Sequence, residues 1–393
     1  MQFVAMRTPD GHPLNQGYSV VCCTNCACGF ADVVVDRSFY DVYYADLAKY
    51  SVPSFQLSNL DSVEESHWVA AKADESAQRV SQLIGSSDAR ILDIGCANGS
   101  LLAALGRIGF RNLFGIDPSA DSVDIVNRRT GLQAFVGTFA SMPGELGLFD
   151  CVCLTGVLEH LWDVDEAMDA IIPLLSDSGV IYIEVPDAAR YLDVYLAPFE
   201  DFSTEHVNHF SFSCLRQISS RYSMVTLSEE AVLVPLTQDQ DTAVCSVAWT
   251  RGRAEELIVD RDLELEAELL KYSRRSEEDF SVIAEIVDRG VEGSDHFILW
   301  GAGESAFKLL ALPALDVRVL DICIDSNPSR HALRFSGEPV SSPMMISPGS
   351  VPIVVASLLR ANSIVEAIEK MDLPNPVVRL DHWHTGSGMP VGE

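Results

Sequence analysis

A short apolar run that ends in a glycine-rich turn is the feature that most constrains the fold of this 393-residue chain. Residues 90–100 read Arg-Ile-Leu-Asp-Ile-Gly-Cys-Ala-Asn-Gly-Ser, and an apolar helical pattern starts at Leu101. The run predicts a buried strand, and the glycines let the backbone of the turn pass close to a ligand. A second predicted strand, 112–116, is followed by Asp117-Pro118. Because ligands of open α/β sheets bind at the carboxyl ends of the strands, Asp117 is positioned to bind a ribose.

The composition of this turn disfavours a phosphate-binding loop. It lacks the Gly-Lys-Ser/Thr ending of a P-loop and the third glycine of the dinucleotide fingerprint, and Asp93 would repel a pyrophosphate. A carboxylate at Asp93 instead suits a cationic amino-acid group. The turn and its acid resemble the class I S-adenosylmethionine-dependent methyltransferases. The resemblance implies that S-adenosylmethionine is bound by Asp93, Gly95, Cys96, Ala97, Gly99, Asp117 and Pro118.

Strands and helices alternate through the middle of the chain, with strands predicted at 90–94, 112–116, 133–137, 149–154 and 179–185. Such alternation predicts a parallel sheet that is covered on both faces. Two further β-rich runs, 224–235 and 242–250, follow without a long helix between them and predict an antiparallel pair that closes the sheet. The expected fold class is α/β, with a Rossmann-like seven-stranded methyltransferase sheet and a second, smaller Rossmann-like α/β domain.

Two or three domains are expected in a chain of this length, because about 150 residues form a typical domain. The Ala/Glu/Ser-rich stretch from Asp61 to about Gly85 predicts a helix that leads into the methyltransferase domain, and the charged residues 251–290 predict a long linking helix. The expected segments are a partial zinc-binding-like module (1–60), the methyltransferase domain (61–250), the linking helix (251–290) and a Rossmann-like substrate-side domain (291–393).

Four cysteines lie within seven positions near the start, Cys22, Cys23, Cys26 and Cys28, and the aromatic segment 39–44 follows them. Cys23 and Cys26 have the spacing of half a zinc knuckle, but tetrahedral zinc needs a second pair. The stretch resembles the amino-terminal zinc-binding module of sugar C-methyltransferases, whose first pair is absent here. Bound zinc and reduced structural thiols therefore remain the alternatives, and no metal ligand is predicted.

The segment 149–160 predicts a buried strand that runs into a loop. In class I methyltransferases the matching segment lines the methionine end of the cofactor, which implies contacts from Leu154, Thr155 and Glu159. His160 is expected to be structural. The resemblance places the adenine pocket at the end of the third strand, near Gly137, Thr138 and Phe139.

The most reactive-looking cluster, 205–211, reads Glu-His-Val-Asn-His-Phe-Ser and follows the fifth predicted strand. A histidine that titrates near neutral pH can accept the proton that methyl transfer releases, so His206 is the predicted base and Glu205 its electrostatic support. The stretch is similar to the Glu-His-x-x-x-Phe-Ser stretch of deoxysugar C-methyltransferases, but Ser203 replaces a tyrosine of that family. The acceptor atom, carbon or oxygen, stays open. His206 and His209 as loop-packing residues are the alternative, and a metal site of Glu205, His206 and His209 is not predicted.

A second glycine turn, 301–306, reads Gly-Ala-Gly-Glu-Ser-Ala, and Asp325 follows at the spacing of a ribose acid. Taken alone, the pattern approximates the dinucleotide fingerprint and predicts NAD. It also resembles the carboxyl-terminal domain of the sugar C-methyltransferases, in which 325–328 matches a recurring Asp-x-Asn-Pro. We favour a structural or substrate-side role for this turn.

Charge and hydropathy limit the partners. The net charge is −30, from 27 basic and 57 acidic residues, which opposes binding to nucleic acid or an anionic membrane. No apolar stretch reaches the roughly 18 residues that span a bilayer, so we expect a cytoplasmic protein with reduced, buried cysteines. With only five lysines, a salt-adapted host and a GC-rich genome both remain open.

These patterns together predict an S-adenosylmethionine-dependent methyltransferase that acts on a small sugar-type substrate, nucleotide-activated or polysaccharide-derived, at carbon or oxygen. An NAD-dependent sugar-modifying oxidoreductase or epimerase that uses the second turn is one alternative. A non-catalytic cofactor-binding scaffold is the other.

Overall fold

The structure is a computed structural model that describes residues 6–10, 12, 14, 19–32, 67–129, 131–141, 146–236, 240–252, 260–358, 360–381 and 383. The predicted aromatic segment 39–44 and the first residues of the predicted helix at 61–85 lie outside this part of the chain.

The described strands fall into three sheets. In chain order they are β1 (Ser19–Cys22), β2 (Gly29–Asp32), β3 (Arg90–Ile94), β4 (Asn112–Asp117), β5 (Leu132–Val136), β6 (Phe149–Thr155), β7 (Leu175–Pro186), β8 (Asn208–His209), β9 (Met224–Pro235), β10 (Asp241–Arg251), β11 (His296–Trp300), β12 (Val319–Ile324), β13 (Arg334–Phe335), β14 (Glu338–Ser341), β15 (Ile353–Val355) and β16 (Val377–Val378).

The α-helices of the described residues cover or connect these sheets. They are α1 (His67–Leu83), α2 (Ser100–Ile108), α3 (Ala120–Asn127), α4 (Val164–Ile171), α5 (Phe212–Arg221), α6 (Leu263–Gly290), α7 (Glu304–Leu310), α8 (Pro313–Asp316) and α9 (Ala361–Lys370). In the described part of the chain, no helix combines the length and apolar character that crossing a membrane requires.

The central sheet has seven strands in the order β5-β4-β3-β6-β7-β10-β9. Strands β3 to β7 pair in parallel, whereas β10 pairs antiparallel with both β7 and β9. The predicted α/β class and seven-stranded Rossmann-like sheet are therefore confirmed. The parallel strands end at one edge, and the glycine turn after β3 and the acid at the end of β4 meet there.

A second sheet of six strands, in the order β13-β14-β12-β11-β15-β16, lies in the carboxyl-terminal part. Its strands are parallel except for the β13–β14 pair. The apolar core continues between the two sheets, since Ile183 of β7, Leu269 of α6 and Leu299 of β11 belong to one buried cluster. The long helix α6 thus connects the two sheets through packed side chains as well as through the chain.

Two predicted boundaries are wrong. The linking helix begins at Leu263 rather than near 251, because Arg251 still pairs in β10 and the Asp262 side chain caps α6 by accepting a hydrogen bond from the Leu265 amide. The fifth strand of the central sheet begins at Leu175 rather than Gly179, because Leu175 pairs with Phe149 of β6.

The amino-terminal cysteines lie on and beside a β1–β2 hairpin whose second strand pairs with β8. A disulfide joins Cys28 to Cys214 of α5, so the expectation of reduced cysteines is wrong for this pair. Both the hairpin ladder and the disulfide fasten this segment to the stretch 208–214. The proximity of the two thiols depends on packing between residues 186 positions apart, which no local pattern encodes.

Candidate active site

The glycine turn between β3 and α2 is held in left-handed backbone conformations. Gly95, Ala97 and Gly99 have φ angles of 72°, 44° and 76°. A Cβ atom on Gly99 would lie 2.8 Å from Cγ2 of Val126, and one on Gly95 would lie 2.8 Å from Cγ2 of Val157. Glycine is thus required at both positions by conformation and by space. The turn presents bare backbone at the carboxyl edge of the sheet.

Asp93 is a buried acid beneath this turn, with 2% of its surface exposed. Its Oδ1 atom has no hydrogen-bond partner among the described residues. Burial, with a further contribution from the charges of Asp117 and Glu184, raises the pKa of Asp93 to about 8. A buried carboxyl group with unmet hydrogen-bonding capacity is costly unless a ligand completes it. A cationic group with N–H donors meets that requirement.

Asp117, at the end of β4, fixes the turn from the neighbouring strand. Its Oδ2 accepts a hydrogen bond from the Ala97 amide at 2.9 Å, and its Oδ1 accepts one from the Ser119 amide at 2.9 Å. Burial raises the pKa of Asp117, and these two hydrogen bonds act in the opposite direction. Because a carboxylate oxygen can accept more than one hydrogen bond, Asp117 can still serve a ligand hydroxyl. Pro118, half-buried, follows directly.

Sequence reasoning missed Glu184, a third acid at this edge of the sheet. Glu184 is 2% exposed and accepts hydrogen bonds from Ser76 and Arg79 of α1, at 2.9 and 3.1 Å, and from the Tyr182 hydroxyl. These hydrogen bonds connect α1 to β7 at the edge of the sheet. An acid inside the apolar run 180–186 was the available signal, because a buried acid needs partners.

The remaining predicted cofactor residues have different environments. Cys96 packs into the core, so that a Cβ on Gly115 would lie 2.6 Å from its Sγ atom. Leu154 is fully buried in the core cluster, whereas Thr155 is half-buried at the end of β6. Thr138 is half-buried, and its amide donates to the Ser141 hydroxyl at 2.9 Å. Backbone atoms and Thr155 thus remain accessible at the turn, while the Cys96 and Leu154 side chains serve packing.

The turn after β6 carries Glu159 and His160 against the loop that carries His206. The Glu159 side chain is buried, and burial raises its pKa. The His160 Nε2 atom lies 4.0 Å from Glu159 Oε1. The rings of His160 and His206 meet edge to face, with centroids 5.0 Å apart. His160, expected to be structural, therefore contacts the predicted base directly.

The other members of the 205–211 cluster lie elsewhere. His209 is fully buried, and its Nδ1 lies 3.0 Å from the Tyr191 hydroxyl. Burial lowers the pKa of His209 to about 3, so this ring is a neutral core residue. The Glu205 carboxylate acts electrostatically on His12 and Glu304. The trio that gathers here is Glu159, His160 and His206, rather than Glu205, His206 and His209.

The second glycine turn, after β11, packs against the same loop. The Thr204 hydroxyl donates to Glu304 at the start of α7, and the buried Lys308 Nζ donates to the Phe199 carbonyl at 2.7 Å. These contacts join the carboxyl-terminal sheet to the segment that precedes His206. The position of the His206 loop therefore depends on both parts of the molecule.

Residues 66–222 match the family model described as "Methyltransferase domain". A ubiquinone biosynthesis O-methyltransferase from Methylocella silvestris is 33% identical over 98 residues, which span 24% of this chain and 38% of that protein. A tRNA U34 carboxymethyltransferase from Campylobacter hominis is 25% identical over 183 residues, which span 41% of this chain and 60% of that protein. The chain thus spans less than two thirds of the length of each of these curated relatives.

Solved structures that are similar to part of the chain include the following two. The plantazolicin methyltransferase BpumL, in complex with a triazolic desmethylPZN analog and SAH, has a TM-score of 0.40 and 16% identity, covering 55% of this chain and 98% of that chain. The [4+2]-cyclase SpnF has a TM-score of 0.38 and 14% identity, covering 46% of this chain and 81% of that chain.

Proposed function

We propose that this chain, whose residues 66–222 match the model of a methyltransferase domain, transfers a methyl group from S-adenosylmethionine to a small sugar-type acceptor. The observation that carries the proposal is the buried Asp93 carboxyl group beneath a turn of left-handed glycines, because its Oδ1 has no partner in the part of the chain that the structure describes. The amino-acid end of S-adenosylmethionine is cationic and supplies N–H donors, which is what this acid lacks.

The donor would be held by the turn and the two acids at the edge of the sheet. Asp93 would bind the ammonium group, the bare backbone at Gly95 and Gly99 would admit the amino-acid end, and Asp117 would accept from the ribose hydroxyls. When bound, the donor supplies a methyl group on a cationic sulfur, which keeps the electron pair of the broken bond as the acceptor's pair forms the new one. The protein orients the partners and removes one proton.

His206 is our candidate for handling that proton. It is half-buried beside His160, on the loop that follows the carboxyl edge of β7. For a carbon acceptor, the proton would leave a keto sugar to form an enediolate. For an oxygen acceptor, it would leave a hydroxyl group during attack. The Glu205 carboxylate acts electrostatically on His12 and Glu304. It would also stabilise the positive charge that His206 gains when it accepts the proton.

A small acceptor is favoured over a large polyanionic one. A net charge of −30 would repel a nucleic acid such as the tRNA in the name of one relative. The sugar-type class rests on the resemblance of the stretch 205–211 and of the carboxyl-terminal sheet region to the deoxysugar C-methyltransferases. The ubiquinone biosynthesis O-methyltransferase matches over only 98 residues, so its name leaves the acceptor of this chain open.

The test incubates the purified chain with methyl-labelled S-adenosylmethionine and a panel of keto and non-keto nucleotide sugars, with product detected by mass spectrometry. Calorimetry with S-adenosylmethionine and with NAD runs in parallel. We expect donor binding and label transfer to one sugar class. Binding of NAD instead would favour the oxidoreductase alternative, and donor binding without transfer to any acceptor would favour the scaffold.

The role of His206 is tested in the same assay by His206→Ala, which we expect to lower turnover about 100-fold or more. His296→Gln, a histidine on the exposed start of β11, is the matched control and should leave turnover unchanged. Unchanged turnover in His206→Ala would refute the assignment.

A further inference from the structure

Glu159, His160 and His206 form a compact group of metal-ligand types. One carboxylate oxygen and one nitrogen from each ring all lie within 4.8 Å of one another. Glu159 is buried, and the two histidines are half-buried. Two imidazoles and one carboxylate are a ligand set that first-row divalent metals accept.

The hydrogen bond of His160 fixes which ring nitrogen faces this group. Its Nδ1 lies 2.9 Å from the Glu205 carbonyl oxygen. Because a carbonyl oxygen can only accept, Nδ1 carries the hydrogen, and in the neutral ring Nε2 presents a lone pair. That arrangement, with the second nitrogen donating to a backbone carbonyl, is the usual support for a metal-bound histidine.

The lone pair of His160 Nε2 points at an acid, since Glu159 Oε1 is 4.0 Å away. Glu159 is only 3% exposed, and its Oε2 has no hydrogen-bond partner among the described residues. An ionised Glu159 and a neutral His160 each present a lone pair toward the other, so a proton or a metal cation can lie between them. A metal cation at this point would accept a lone pair from each group.

The two segments that supply the ligands are fastened together independently of any ion. The Asn208 side-chain amide donates to the carbonyls of Leu158 and Leu161, at 3.2 and 2.7 Å. With the His160–Glu205 contact, these bonds hold the 158–161 turn against the His206 loop. The ligand atoms are therefore positioned in advance, which reduces the ordering cost of binding.

We propose that Glu159, His160 and His206 bind one divalent ion of the zinc(II) or cobalt(II) type at the acceptor side of the active site. Ligand bonds of about 2.0–2.2 Å place neighbouring ligand atoms about 3.3 Å apart in a tetrahedron, so the side chains must close by up to about 1.5 Å. Three protein ligands leave a coordination position open. That position can take a hydroxyl or carbonyl oxygen of the substrate.

This inference rests on the proposed function and changes how His206 acts in it. As a ligand, His206 would activate the acceptor through the metal instead of taking the proton itself. Coordination lowers the pKa of a bound hydroxyl group, whose proton then passes to solvent. The oxygen keeps the electron pair that forms the bond to the methyl carbon. Glu159, assigned to the cofactor from the sequence, becomes a metal ligand.

The experiment measures metal binding directly. The full chain is stripped with a chelator and titrated with zinc(II) by calorimetry and with cobalt(II) by visible absorption. We expect one equivalent at this site. Glu159→Gln and His160→Ala should each weaken it by at least about 100-fold, because loss even of a supporting residue costs about 10- to 100-fold. His296→Gln, the matched control, should bind as the wild type does.

The amino-terminal thiols need a separate control, and Cys23→Ser supplies it. Thiolate ligands give cobalt(II) an intense near-ultraviolet band, which a nitrogen and oxygen site lacks. Donor binding is measured on the same stripped samples. If the donor binds but zinc(II) and cobalt(II) bind equally to wild type and Glu159→Gln, the metal inference is wrong and the proposed function survives. If the donor does not bind at all, the proposed function itself has failed.

Discussion

The two glycine turns of this molecule are closed by the same kind of hydrogen bonds and differ in the side chain that is buried beneath them. After β3, the Gly95 amide donates to the Ile116 carbonyl at 2.8 Å, and the Ala97 amide donates to Asp117. After β11, the Gly301 amide donates to the Ile324 carbonyl at 2.7 Å, and the Ala302 amide donates to Asp325 at 2.9 Å. In both turns the acid of the next strand closes the loop.

The difference lies two positions before the first glycine. The first turn has Asp93 there, a buried acid with an unmet acceptor, whereas the second has Leu299, which is fully buried in the core. Asp117 and Asp325 both accept hydrogen bonds from backbone amides of the turn and of the residue two positions after the acid. Such bonds alone are therefore no evidence of a ribose site. Among the described residues, the difference that bears on a cationic ligand is the unsatisfied carboxyl group of Asp93, because the second turn has Leu299 in its place.

Removing that carboxyl group should have the largest effect. Asp93→Asn should weaken S-adenosylmethionine binding by about 100-fold at pH 8, because a buried hydrogen bond to a charged group contributes about 1.5–3 kcal/mol. Calorimetry measures the affinity, and Asp325→Asn in the second turn is the matched control with unchanged affinity. Equal losses in both variants would erase the distinction between the turns.

The second prediction uses pH to sharpen the comparison. In the free protein Asp93 is protonated below its pKa of about 8, and a cation binds the carboxylate. Donor affinity should therefore rise about tenfold per pH unit from pH 6 towards 8. Above that pH the donor's own amino group loses its charge, so the affinity should pass through a maximum. Asp93→Asn should flatten the rising limb, and a limb that persists in this variant would assign the titration to another group.

The smallest effect concerns the glycines themselves. Gly99→Ala should lower the free energy of unfolding by about 2 kcal/mol, because its φ of 76° is left-handed and the new Cβ would meet Val126. Gly303→Ala should change it by less than about 0.5 kcal/mol, since Gly303 has a φ of −99° and no atom within 4 Å of the added Cβ. Thermal or urea unfolding measures both, and similar losses would contradict the geometric difference.

Much of the fold was predictable because its signals are local. The apolar runs at 90–94 and 112–116, the glycines between them and the alternation with helices indicated the parallel sheet, and the strands formed within a few residues of their predicted positions. The start of α6 was missed because the charge of the stretch does not mark where the strand ends and the helix begins. Strand β10 continues to Arg251, and the Asp262 side chain caps the helix that begins at Leu263.

The candidate site was only partly predictable. The sequence proposed Asp93 and His206 as site residues, and their roles stay predictions, but it grouped His206 with His209, which the fold buries against Tyr191. It also treated His160 as structural, although His160 lies against His206. Adjacent residues on a loop point in different directions, so closeness along the chain did not predict closeness of side chains.

The sequence by itself determined the strands, the two turns and the acids at the strand ends, because periodicity and glycine conformation act over a few residues. Only the tertiary structure decided which side chains meet: the Cys28–Cys214 disulfide, the tie from Glu184 to α1 and the group of Glu159, His160 and His206. Those contacts depend on how the elements pack around a shared core, and that packing is set by the whole chain at once.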